Sequence, residues 1–235
     1  MLQPFHFLVS VLFLIPAVFI AIPAHELAHV LAAYVQGDRS VRNRGFLRLD
    51  PMLFIEPWGL AAAFLAKVAW GQRLPINESR LRGVPGRLAY ALAGPLANLV
   101  LGLLAGFAFQ SLLRDGVVGS VITLSQPPLG YLSAAMYAVA FLNLSMFAFN
   151  LLPIPGLDGW RILEILFKPS RPRFFFDAWV HRRTVWQALV VLAFASSILP
   201  GAANLIAVVL IPLYAPAAHV AFGICTGYPG LDPCP

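Results

Sequence analysis

The stretch AIPAHELAHVLAAYVQG, residues 21–37, sets two histidines and a glutamate in a run that is otherwise almost wholly apolar. Traced backwards, the apolar run begins near residue 5 and continues to residue 36. As one helix it would be about 48 Å long at 1.5 Å per residue. A bilayer core is about 30 Å thick, so such a helix must tilt, kink or break. Pro16 and Pro23 are the candidate kink positions.

The whole chain shares this character. Its 235 residues are 60% hydrophobic and 11% charged, with mean hydropathy +0.80. Soluble domains carry about 25% charged residues, so the composition reads as an integral membrane protein. There is room for roughly four to six spans and little else. The net charge of +6 comes from basic residues in loops between apolar runs. They read as cytoplasmic anchors rather than a nucleic-acid surface. The N-terminus has no early Lys or Arg and an apolar run too long for a signal core, so it reads as a retained span. Cys225 and Cys234 lie in the tail without metal-site spacing, and a disulfide or two free thiols fit equally.

Two basic stretches, Arg39 to Arg48 and Arg73 to Arg87, flank one short apolar run that contains Glu56, Pro57 and Lys67. A simple crossing would put them on opposite sides of the membrane. A re-entrant segment near 44–75, for which a β-hairpin is one option, would keep both on the cytoplasmic side. Residues 88–113 and 130–152 read as full spans, joined by an outward-facing loop at 114–129. FKPSRPRFFFDAWVHRR, residues 167–183, suits a cytoplasmic interfacial segment. Residues 184–222 hold one or two more spans, divided near Pro200-Gly201. The fold class is an all-α polytopic membrane protein of roughly five to six transmembrane helices. It forms a single domain over 1–235, with its core at 5–167 and C-terminal helical segments at 184–222.

His25, Glu26 and His29 form an HExxH. On a helix the two histidines are about 40° apart and face one way, which suits two nitrogen ligands on a zinc ion. Glu26 sits one step round, where it reaches a water beside the metal rather than the metal itself. Five His and four Glu in 235 residues would produce this pattern by chance about 0.002 times per chain. Buried histidines satisfied by backbone are the plain alternative. Three ionisable groups clustered in an apolar span argue for function.

Catalytic zinc usually has three protein ligands. His6 lies too far along the same helix, His181 in the interfacial stretch, and His219 near the C-terminal end. Asp38 and Asp50 fall in loops. Glu56 interrupts an apolar segment and is a rival. Asp158 is the better candidate, because Pro153, Pro155 and Gly156 break the helix just before it. A helix N-cap is the plain reading of Asp158, and capping is partly compatible with ligation. The positive-inside pattern brings His25, His29 and Asp158 to the same, cytoplasmic side.

These residues resemble the site-2 protease family of intramembrane zinc metalloproteases. The resemblance rests on His25-Glu26-Leu27-Ala28-His29, AGPLAN at 93–98 and NLLPIPGLDG at 150–159. LDP at 49–51 and LPIN at 74–77 are less specific. It implies one Zn²⁺ per chain held by His25, His29 and Asp158, with Glu26 as general base. It implies a transmembrane protein or peptide as substrate, in the plasma membrane of a prokaryote. Asn98 and Asn150 match family asparagines near the active site, where they support the substrate or oxyanion or simply glue helices. Neither a PDZ-like nor a nucleotide-sensing domain is visible, and Glu56-Pro57 departs from the pattern. Two other functions use the same residues: a membrane metal transporter or metal-binding protein, and a non-catalytic scaffold for membrane helices.

Overall fold

The computed structural model describes residues 4–48, 50–72, 74–114, 129–167, 170, 172–182, 184–186, 188 and 205–222. Three helices are long and apolar enough to cross a membrane: α1 (Pro4–Gln36), α4 (Gly83–Arg114) and α5 (Leu129–Asn150). The chain is thus an integral membrane protein built on a three-helix core. Short helices α2 (Ser40–Asn43), α3 (Pro57–Ala66), α6 (Asp158–Phe167) and α7 (Pro172–Val180) decorate it, and α8 (Leu205–Phe222) packs on α4 and α5. The outward loop at 114–129, the break near Pro200 and the two cysteines lie largely or wholly outside the described residues.

Close approach of the helices depends on small side chains, as expected where lipid removes the hydrophobic drive between helices. Ala17, Ala21 and Ile22 of α1 are fully buried. Gly102 of α4 sits against Leu144 and the Ala140 carbonyl of α5, and Gly106 sits against Ala221 of α8. α1 remains one helix through Pro16 and Pro23; neither proline breaks it.

α1 ends at Gly37, whose φ of 115° suits a glycine past a helix terminus. The Gln36 amide then donates to the Gly86 carbonyl (3.0 Å) and accepts from the Arg82 N–H (3.2 Å). The end of α1 and the start of α4 therefore lie side by side, and the chain from 37 to 82 leaves and returns at one end of the bundle.

Within that excursion the hairpin option fails. The described residues contain no strand, and antiparallel pairing is limited to one bridge, Ile55 to Gly71, with Gln72 N–H donating to Phe54 O at 2.7 Å. A helix, α3, occupies the middle. Its start was written in the sequence: Pro57 fills the first helical position and the Glu56 carboxylate accepts from Gly59 N–H at 2.6 Å. The alanine-rich run 57–66 then favours helix over strand. α3 ends at Lys67, in the left-handed region at φ 58°. Ser145 of α5 holds that turn, donating to the Lys67 carbonyl at 2.6 Å.

Asp38 ties the excursion down. Its carboxylate accepts from the Ser40 N–H (3.1 Å) and hydroxyl (2.6 Å) and from the Asn77 N–H (2.7 Å). Burial pushes this carboxyl up, but those hydrogen bonds and the Arg44 charge outweigh it and hold it below its ordinary value. A depressed folded pKa contributes stability above the unfolded pKa that is lost as pH falls through the folded value. Asp38→Ala should therefore cost about 2–3 kcal/mol at neutral pH. It should also flatten the stability profile below about pH 4. Limited proteolysis of the 70–82 segment across that pH range measures both.

Candidate metal centre

His25 and His29 lie one helical turn apart on α1, and both are buried. His25 Nδ1 lies 2.6 Å from Asn98 Oδ1, and His29 Nδ1 lies 2.7 Å from the Tyr90 carbonyl, both on α4. A carbonyl oxygen only accepts, so each ring donates its Nδ1–H. Each Nε2 is then left as a lone pair. This arrangement, with the far nitrogen fixed by an outer partner, is how proteins prepare histidines for metal.

The third donor comes from across the bundle. α5 ends at Asn150, and the following turn carries Pro153, Pro155 and Gly156, the last at φ 117°. Leu152 N–H bonds to Phe149 O and Leu157 N–H to Ile154 O, while Trp186 Nε1 donates to the Pro155 carbonyl at 2.8 Å. The chain so reversed delivers Asp158 as the first residue of α6. Gly159 lies directly against the Leu151 and Leu152 carbonyls, so no side chain fits there. Asp158 Oδ2 faces the two imidazoles.

The donor atoms form a nearly equilateral triangle. His25 Nε2 to Asp158 Oδ2 is 3.1 Å, His29 Nε2 to Asp158 Oδ2 is 3.2 Å, and the two Nε2 atoms are 3.2 Å apart. With both Nδ1 protons committed, these are lone pairs facing lone pairs, and hydrogen bonds do not account for them. A tetrahedral zinc with bonds of about 2.0–2.1 Å separates its ligands by about 3.3–3.4 Å. The triangle fits that ion, and among the described residues this is the group of His and acidic side chains close enough to hold a metal. Gly94 of α4 leaves room for it: a Cβ there would lie 2.6 Å from His25 Nε2 and closer still to that of His29.

Glu26, 9% exposed, lines the same cavity of 1320 Å³ as both histidines and Asp158. Gly71 abuts the Glu26 side chain, so the non-helical 68–72 segment passes directly over it. Arg87, Arg161, Arg173, Glu78, Glu164 and Asp177 also line the cavity. So charged a wall suits water entry. Arg161 pairs with Glu78 at 3.0 Å and lies over the Tyr90 ring at 4.9 Å.

The other sequence candidates stand outside the donor triangle. Glu56 caps α3 and Asp50 accepts from Met52 N–H. His181 donates from Nδ1 to the Asp177 carbonyl on an exposed surface, and His219 sits in α8. Asn98 faces His25, where the sequence suggested substrate support. Asn150 lines the cavity, donating to Met146 O at 3.0 Å and reaching Ala69 O at 3.5 Å. Asn143, unmarked by any motif, donates to Val139 O and accepts from Asn98.

Residues 13–195 match the family model described as Peptidase family M50. The chain is 32% identical over 163 residues to "Putative zinc metalloprotease YwhC" of Bacillus subtilis, covering 67% of this chain and 70% of that one. It is 35% identical over 156 residues to "Putative zinc metalloprotease Rip2" of Mycobacterium tuberculosis, covering 63% of this chain. There it spans 55% of the relative's length, as it does for the Rip2 of Mycolicibacterium smegmatis at 30% identity. No solved structure matches the chain.

Proposed function

This chain belongs to peptidase family M50, a zinc metalloprotease of the site-2 protease type, and from that premise we propose the roles of its residues and the nature of its substrate. His25, His29 and Asp158 hold one zinc ion, and Glu26 is the general base. The single observation that carries this is the donor triangle with 3.1–3.2 Å edges, its two imidazoles preset as Nε2 donors. A zinc ion held by these three residues would supply Lewis-acid polarisation of a carbonyl and a water acidified toward a pKa of about 7. Glu26 then takes the proton from the attacking water and returns it to the departing amine. Asn98 and the Tyr90 carbonyl hold the two rings through these steps. Asn150 lines the cavity near the 68–72 backbone, where it can steady the substrate.

The substrate is a transmembrane segment of another protein. His25 lies eleven residues before the end of α1, which puts the chemistry about 16 Å inside that helix terminus. Peptide bonds at such depth belong to membrane spans. A substrate helix must unwind to expose a carbonyl, and the non-helical 68–72 backbone beside Glu26 offers an edge for the unwound chain. The adjacency of Gln36 to Arg82 and Gly86 supports a 44–75 segment that re-enters without crossing. The basic stretches flanking it support a reading in which that end, and the charged cavity, face the cytoplasm of a prokaryotic cell. Transport of the metal is the poorer reading, since it gives Glu26 no task.

Zinc content of purified protein tests the ligand set. Asp158→Ala should lose zinc by more than the roughly 10–100-fold in affinity that an outer partner costs, and cleavage of a membrane-anchored reporter should vanish with it. Stoichiometric zinc in Asp158→Ala would remove Asp158 from the set.

A further inference from the structure

Behind His25 lies a buried polar chain that links all three spanning helices. Asn98 of α4 and Asn143 of α5 are both completely buried. Asn98 Oδ1 meets His25 Nδ1 at 2.6 Å. Its amide group donates twice, to the Ala21 carbonyl of α1 at 3.1 Å and to Asn143 Oδ1 at 2.8 Å. Asn143 in turn donates to the Val139 carbonyl at 2.8 Å. The direction of every bond follows from the two ends. Backbone carbonyls only accept, so Val139 O turns the Asn143 amide to present its oxygen. That oxygen and Ala21 O together turn the Asn98 amide to present its own oxygen to His25.

A flipped Asn98 would offer His25 an N–H instead. The ring would then accept at Nδ1 and carry its proton on Nε2, the atom that faces Asp158. A protonated Nε2 cannot ligate. Resting on the metal-centre reading above, we propose that Asn143 is a positioning residue. By locking the Asn98 amide it selects the Nδ1–H tautomer of His25 and so keeps Nε2 open for zinc. It touches neither metal nor substrate and acts 45 residues along the chain from Asn98.

Two substitutions of matched shape separate this from packing. Asn143→Val removes the acceptor. Asn143→Thr keeps a hydroxyl that can bond back to the Val139 carbonyl, as helical Thr commonly does, and accept from Asn98. Zinc affinity, measured by chelator competition on purified full-length protein, should fall about tenfold in Asn143→Val, the lower end for loss of an outer partner. Most of it should return in Asn143→Thr. Nitrogen-15 chemical shifts of His25 in zinc-free protein should show the Nδ1–H tautomer in wild type and a mixture in Asn143→Val. Wild-type affinity in Asn143→Val, or equal losses in Val and Thr, would overturn the proposal. So would an Nε2–H ring in zinc-free wild type, a result that needs no variant to fold. Failure of wild type to bind zinc with the Nδ1–H tautomer intact would instead strike the metal-centre reading alone.

Discussion

Glu26→Gln should leave one zinc per chain and cut the rate of substrate cleavage by about 10²–10⁴-fold, the usual share of a general base. Gln has the shape of Glu and keeps an acceptor oxygen, but it takes no proton at neutral pH. The donor triangle does not include Glu26, so zinc binding survives. Glu26 also cannot be replaced by a shifted neighbour. The 68–72 segment presses Gly71 against its side chain, and of the other glutamates lining the cavity Glu56 is committed to the α3 cap at 2.6 Å and Glu78 to Arg161 at 3.0 Å. Single-turnover cleavage of a transmembrane reporter, with zinc content measured on the same sample, reads both quantities. A rate within tenfold of wild type would mean that water is activated without Glu26. Loss of zinc together with activity would mean that Glu26 is a ligand.

What the sequence disclosed about this site, it disclosed through short-range periodicity and local breaks. HExxH needs only the 3.6-residue period to put His25 and His29 on one face, and the Pro-Gly run before Asp158 announces a carboxylate on reversed backbone. Glu56-Pro57 was equally local, an acidic cap followed by a first-turn proline, and it reads as a helix start once the hairpin idea is set aside. What stayed open concerns what a residue faces across the bundle. Asn98 could hold a substrate or a histidine; only the packing of α4 on α1 brings it within 2.6 Å of His25 Nδ1. Asn143 has no motif because its task is set by Asn98, on another helix. Asp158 kept a cap reading beside the preferred ligand reading, since both roles use the same residue at the same helix end. Its direction was settled by the turn at Leu151–Leu157, which rests on Trp186 and on a glycine at 159 that admits the Leu151 carbonyl.

The glycine of AGPLAN carries the other large expectation. Gly94→Ala should abolish stable zinc binding and all proteolysis while leaving the protein folded. Helix propensity alone predicts a gain, since Ala in a helix interior is favoured over Gly by about 0.8–1 kcal/mol. The new methyl, however, would sit 2.6 Å from His25 Nε2 and 2.7 Å from His25 Cε1, and closer to His29 Nε2. One side must yield. The rings cannot simply swing aside, because their opposite nitrogens are held at 2.6 Å by Asn98 and at 2.7 Å by the Tyr90 carbonyl. Both anchors are on α4, the helix that carries Gly94, so sliding α4 moves anchor and methyl together. The rings must therefore break those bonds and turn Nε2 away from Asp158. The loss in affinity should exceed about 100-fold, the upper range for a lost outer partner, while the zinc-free protein still folds with a lowered melting temperature, since two buried hydrogen bonds at about 1–3 kcal/mol each outweigh the propensity gain. Gly102→Ala on the same helix supplies the contrast. Its methyl meets the flexible end of Leu144 at 2.8 Å, so it should cost about 1–3 kcal/mol of stability through overpacking and leave zinc in place. If Gly94→Ala bound zinc as tightly as wild type, the imidazoles would have to be free to move, and the picture of a site preset by Asn98 and Tyr90 would fall with it.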